Sequence, residues 1–158
     1  MKFFRLVPYW IRDDLPVNGR HPHQLAPFFL ISSRLKGAEA ERVKLHEWIH
    51  VVLAMVLSLP FIVAFVAYMI TARPNIPLLL ITAVPFCINL LRFLWPNWLK
   101  VEWEALPKGA EVAKGGDLEA EAESLARSKS YAHGKSLQYC RRRIAFWASL
   151  FGWSEPKH

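Results

Sequence analysis

From Val51 to Thr71 the chain carries no charged residue. A helix of about 20 such residues crosses a hydrocarbon core roughly 30 Å thick. A second apolar run, Ile76 to Trp95, follows after Arg73-Pro74-Asn75, which reads as a tight turn. Pro60 is expected to kink the first run. The second contains Pro77, Pro85, Asn89 and Arg92, and is the weaker span; Arg92 lies near its end, where its apolar stem can snorkel. A soluble domain of this size rarely devotes so long a stretch to near-uniform apolar helix. Apolar residues make up 53% of the chain, and most of the excess lies between Ile49 and Trp95, with polar, charged flanks. The fold class expected is therefore mainly α-helical and membrane-embedded, built on a two-span helical hairpin.

Charge orients the hairpin. Lys and Arg are plentiful before His50 and after Trp95, whereas the connecting turn carries only Arg73. By the positive-inside rule both termini are cytoplasmic and the hairpin tip lies on the far side. Trp95, Trp98 and Trp103 suit the interfacial aromatic belt. The net charge of +7 sits on segments flanking apolar runs, so anionic headgroups of a lipid bilayer are the partner it implies, and no nucleic-acid module is present. Cys87 and Cys140 form no CxxC pair and read as free thiols of a reducing compartment. The first ten residues lack the apolar core and cleavage site of a signal peptide.

Three regions follow. Residues 1–50 form a cytoplasmic segment: an irregular lead-in broken by Pro8, Pro16, Pro22 and Asn18-Gly19, a short strand or hairpin near Phe28 to Ser32, then a helix from Gly37. Nothing breaks that helix before Pro60, so it enters the first span directly. Residues 51–95 are the hairpin. Residues 96–158 are a cytoplasmic C-terminal region. In it Trp98 to Leu106 reads as a short helix stopped by Pro107, and Pro107 to Gly116 as a glycine-rich linker. Next come an acidic helix capped by Asp117 and a basic-aromatic helix from Gln138 to Trp153, which either lies at the membrane interface or packs on the rest of the protein.

The chemistry sits at the mouth of the first span. His46-Glu47-Trp48-Ile49-His50 is an H-E-x-x-H pentad on the segment read as helix. Residues i and i+4 stand one above the other on one helix face, so both imidazoles can reach one zinc ion at about 2.0–2.1 Å. Glu47, one position along, can approach the open coordination site and act as general base. A catalytic zinc usually takes a third protein ligand. The sequence offers Glu102, Glu104, the acids between Asp117 and Glu123, and His133, while Val51-Val52-Leu53-Ala54 excludes a third histidine of the HExxHxxGxxH kind.

Around the pentad the chain resembles small zinc-metallopeptidase-like membrane proteins of bacteria and phage, of the gluzincin (HExxH…E) type. The resemblance covers roughly Leu25 to Ala105: PFFLISSRL ahead of ERVKLHEWIH, then PFCINLLRFLW, then VEWEA. It implies a zincin-like fold, a Zn²⁺ cofactor, a peptide or protein substrate, and a bacterial inner-membrane location. In that family a segment of the form F-E-x-E-A supplies the ligand glutamate. Matched onto Val101 to Ala105, it implies His46, His50 and Glu104 as ligands, with Glu102 second and Glu121 of LEAEA third. Val101 stands where the family has phenylalanine, and Val51 to Leu53 where many relatives carry glutamine. Such catalysis also needs a donor for the oxyanion, and Tyr131 and His133 are the candidates. The implied function is zinc-dependent peptide hydrolysis near the membrane surface. The alternatives are a non-enzymatic membrane-perturbing or anchoring factor, and an inactive metallopeptidase-like binding module.

Overall fold

A computed structural model describes residues 2–5, 7–12, 29–73, 75–91 and 94–154. Three strands, β1 (Lys2–Phe4), β2 (Val7–Arg12) and β3 (Phe29–Ser32), precede five helices. The helices are α1 (Gly37–Thr71), α2 (Ile76–Leu90), α3 (Asn97–Ala113), α4 (Leu118–Arg127) and α5 (Leu137–Leu150). Phe28, the Asn18-Gly19 turn, Pro16, Pro22, Pro74 and Arg92 lie outside the described residues.

The irregular lead-in is corrected over Lys2 to Arg12, which forms two strands. β1 pairs antiparallel with β2, placing Phe3 opposite Pro8 and Phe4 opposite Val7 across a two-residue turn. Arg5 takes φ +45° there, as hairpin turns of this length demand. β2 then pairs parallel with β3 from Tyr9–Phe29 to Arg12–Ser32. Pro8 precedes that second ladder and is paired on one side only, so the proline does not exclude a strand. Val7, Tyr9 and Ile31 pack with Val51 of α1, which seats the sheet against the HEWIH stretch of that helix.

The pentad helix and the first apolar run are one helix, α1, as continuous good helix formers predict. It ends at Ala72, whose left-handed backbone (φ 51°) turns its N–H to the Tyr68 carbonyl. α1 is the one helix among the described residues long and apolar enough to span a membrane. Only 28% of its most apolar 18-residue stretch is buried, unlike the core helix of a soluble domain. α2 is also apolar but has 15 residues, about 22 Å at 1.5 Å per residue. Asn75 caps it, accepting from the Leu78 N–H (3.1 Å). The two helices meet through stacked Phe61 and Phe86 (4.7 Å) and through the Asn89 amide donating to Ser58 Oγ (2.8 Å).

A second correction falls at Pro107. The helix does not stop there: α3 runs on to Ala113, and Pro107 to Ala113 of the stretch read as a linker form its last two turns. A proline inside a helix removes one hydrogen bond and costs about 3 kcal/mol. Here its ring is fully buried, in a helix whose Val101, Ala105, Ala110 and Val112 are buried too, so packing offsets the loss. α3, α4 and α5 share a core in which Leu125, Ile144 and Cys140 are fully buried. Asp117 caps α4 by accepting from the Glu119 and Ala120 N–H groups. α5, the basic-aromatic helix, packs through Cys140, Ile144 and Ala148 onto this core.

Gly109 marks the tightest crossing. A Cβ there would lie 2.6 Å from Trp147 Cβ and 2.7 Å from the Ala148 backbone nitrogen. Gly109→Ala gains about 1 kcal/mol of helix propensity, but the obstructing atoms belong largely to the α5 backbone and cannot rotate away. Overpacking of this kind costs about 1–3 kcal/mol, so a net loss of stability is expected, measured as a lower midpoint of thermal unfolding.

Candidate metal centre

The N-terminal part of α1 lies between the sheet and α3. Leu45 and Ile49 pack with Ala110 of α3, and Trp48 is shared between that cluster and the sheet. α1 and α3 run in opposite directions: His46 meets Glu111, and one helical turn on, His50 meets Glu104. Residues 104, 108 and 111 are spaced i, i+4 and i+7, so α3 turns one polar face toward the two histidines.

Three donors converge there. His50 Nε2 is 3.2 Å from His46 Nε2 and 3.2 Å from Glu104 Oε2, and His46 Nε2 is 3.5 Å from Glu104 Oε1. His50 is buried and the side chains of His46 and Glu104 are each 12% exposed. Tetrahedral donors held about 2.0–2.1 Å from zinc stand about 3.3–3.4 Å apart, so these separations fit one cation among the three. His46, His50 and Glu104 form the one group of this kind among the described residues.

The next layer fixes the donors in place. His46 Nδ1 donates to Glu111 Oε1 (2.5 Å), which turns Nε2 inward; burial would lower the pKa of the ring, but Glu104, Glu111 and Glu47 raise it to about 9. The His50 ring stacks on Trp103 (5.4 Å between centroids, 27° between planes). Glu47 is buried, with Oε1 3.9 Å from His46 Nε2. Burial alone would push the Glu104 carboxyl up; the His46 ring, the hydrogen bond from His50 and the Lys108 ammonium outweigh it and hold that carboxyl well below the usual carboxylate range. Glu47, Glu104, Glu111 and Glu121 are all buried, and among the described residues Lys108 is the one lysine buried with them.

The other sequence candidates lie elsewhere. Glu102 points to α5, accepting two hydrogen bonds from Arg143 (2.5 and 2.8 Å) and one from Trp147 Nε1 (2.8 Å). Glu121 accepts from Lys108 Nζ (2.6 Å). Tyr131 packs against the core of α3, α4 and α5. His133 is exposed, and its carbonyl accepts from Asn97 at the start of α3, about 10 Å along that helix from Glu104.

Glu111 and Lys108 were not among the sequence candidates. Their signal, the i, i+4, i+7 spacing from Glu104, exists only when the helix is carried through Pro107. Removing an outer-shell partner of a metal-binding histidine typically costs 10–100-fold in metal affinity. Glu111→Gln, which keeps the shape and removes the charge, is expected to weaken zinc binding by about that factor, as read by competition with a chromophoric chelator.

No protein-family model, curated protein or solved structure matches the chain.

Proposed function

We propose that this protein is a zinc-dependent metallopeptidase-like membrane protein of the gluzincin type, which hydrolyses peptide bonds close to the membrane surface. The observation carrying this reading is the convergence of His46, His50 and Glu104, with a buried glutamate beside the first histidine. Two neutral imidazoles and one carboxylate are the donor set of a zinc centre that keeps a position open for chemistry. When bound, zinc would act as a Lewis acid and make a water acidic enough to attack a carbonyl at neutral pH.

The protein's own groups supply the rest. His46 and His50 present Nε2, and Glu111 keeps the His46 ring in the required tautomer. Glu104 contributes a carboxylate held ionised by its neighbours. Glu47 is the general base: its carboxylate takes the proton from the attacking water and later delivers it to the leaving amine, so the peptide C–N bond breaks without expelling an amide anion. Burial of the cluster restricts bulk water, which strengthens each of these interactions.

The apolar, mostly exposed stretch of α1 supports a centre close to the membrane. The pentad ends at His50, and the uncharged run begins at the next residue, so the site sits near headgroup depth. The charge distribution puts both termini and the site on the cytoplasmic face, with the bacterial inner membrane as the matching bilayer. α2 returns the chain as the second limb of the hairpin, tilting or relying on its flanking residues to cover the remaining thickness.

The test is hydrolysis of a quenched-fluorescent peptide library by the protein in lipid vesicles, with and without a zinc chelator. The reading expects cleavage that chelation stops and zinc restores. Zinc-loaded protein that cleaves nothing would leave a metal-binding module without enzymatic activity.

A further inference from the structure

Lys108 is the one buried ammonium in the cluster, with 3% of its surface exposed. A lysine is almost never buried so fully unless paired. Its Nζ donates to Glu121 Oε2 (2.6 Å) across to α4, and the same Nζ stands 3.9 Å from Glu104 Oε1. Exchanging a buried ion pair for apolar side chains is often neutral or stabilising, so fold stability alone does not account for this one. Its position offers another account. Lys108 lies one turn after Glu104 and one before Glu111, on the face of α3 turned toward the histidines. The Glu104 carboxylate is thereby set between His50 at Oε2 (3.2 Å) and, at Oε1, His46 Nε2 (3.5 Å) and Lys108 Nζ (3.9 Å).

We infer that Lys108 is a positioning residue of the metal centre: anchored by Glu121 of α4, it fixes the rotation of the Glu104 carboxylate that faces the two histidines. The inference rests on the metal-site reading above. It makes α4 part of the centre, because the helix that carries no ligand supplies the anchor for the residue that aims one. Each of the three donors then has a fixed second partner: Glu111 for His46, Trp103 for His50, and Lys108 for Glu104.

The test compares the wild type with Lys108→Met/Glu121→Met, which removes the pair together and strands no buried charge. Zn²⁺ affinity is read by chelator competition, and site geometry by the visible absorption of bound Co²⁺. The double variant is expected to keep its helical circular dichroism, to bind Zn²⁺ at least about tenfold more weakly, and to show a shifted, weakened Co²⁺ band. Glu121→Gln, which keeps an acceptor for Lys108, is expected to fold and to show the same changes to a smaller degree; it decides the matter if the double variant does not fold. The exposed pair on α4, Arg127 and Glu123, is the control, and Arg127→Met/Glu123→Gln should match the wild type. Wild-type Zn²⁺ affinity and an unchanged Co²⁺ band in both test variants would overturn the inference and leave the pair as a tie between helices. A wild type that takes up neither metal would instead overturn the metal-site reading itself.

Discussion

Glu47→Gln is expected to lower peptide hydrolysis by at least about 10²-fold and up to about 10⁴-fold, the usual contribution of a positioned general base, while the bound metal stays in place. The substitution keeps the size and hydrogen-bonding outline of the side chain but takes away its capacity to accept a proton. Glu47 is buried, and the isosteric amide fills the same space without leaving a cavity. It stands outside the group of three donors, so metal content should not fall. The measurement is turnover of a cleavable peptide alongside zinc per molecule. Full activity in Glu47→Gln would show that another group accepts the proton, and equal loss of zinc would show that Glu47 holds the metal rather than serving it.

The second large effect belongs to the donors. His46→Ala, His50→Ala and Glu104→Ala should each lower zinc affinity by at least about a hundredfold, since a few ligands share an apparent binding energy on the order of 10 kcal/mol. The contrast with the other glutamates is the sharper part. Glu102→Ala should leave zinc bound but loosen α5, because Glu102 joins Arg143 and Trp147 to α3. Glu121→Ala should weaken zinc modestly through Lys108, without removing a ligand. Chelator competition on the five variants separates these roles. Thermal unfolding with and without zinc adds a check, because a metal that binds only the folded state raises its stability, and that increment should vanish in the three donor variants.

Much of this site was legible in the sequence because its geometry is local. His46 and His50 are four residues apart on a segment rich in helix formers, and the periodicity of the α-helix alone puts them on one face. Glu104 lies 54 residues further on than His50. No periodicity links the two; the sequence offers Glu104 as one of several acids, only resemblance to a glutamate segment ranks it first, and the antiparallel packing of α1 on α3 brings it to the histidines. Glu111 and Lys108 escaped notice because Pro107 reads as a helix stop. The rule behind that reading holds for exposed helices, but a proline ring buried in a packed core can repay the lost hydrogen bond. Pro8 misled in the same way: it hid a central strand whose second ladder begins one residue later. In both places tertiary packing overrode a sound local preference, and nothing in the neighbouring residues announces such packing.

The apolar hairpin shows a different limit. Its composition marks it plainly, yet composition cannot say where a helix ends. α2 closes at Leu90 rather than continuing to Trp95, and Trp95 turns back to donate its ring N–H to the Ile88 carbonyl (2.7 Å) while meeting Trp103 edge-on (5.4 Å between centroids). Since Trp103 also stacks on His50, the base of the hairpin is joined by aromatic contacts to one of the candidate ligands.

Zinc K-edge X-ray absorption on the detergent-purified wild type tests the central claim most directly. The account predicts close to one zinc per molecule, a first shell of four nitrogen or oxygen neighbours at about 2.0–2.1 Å, and outer-shell scattering from two imidazoles. A well-folded protein that takes up no zinc, or zinc whose spectrum contains no imidazole, would contradict it.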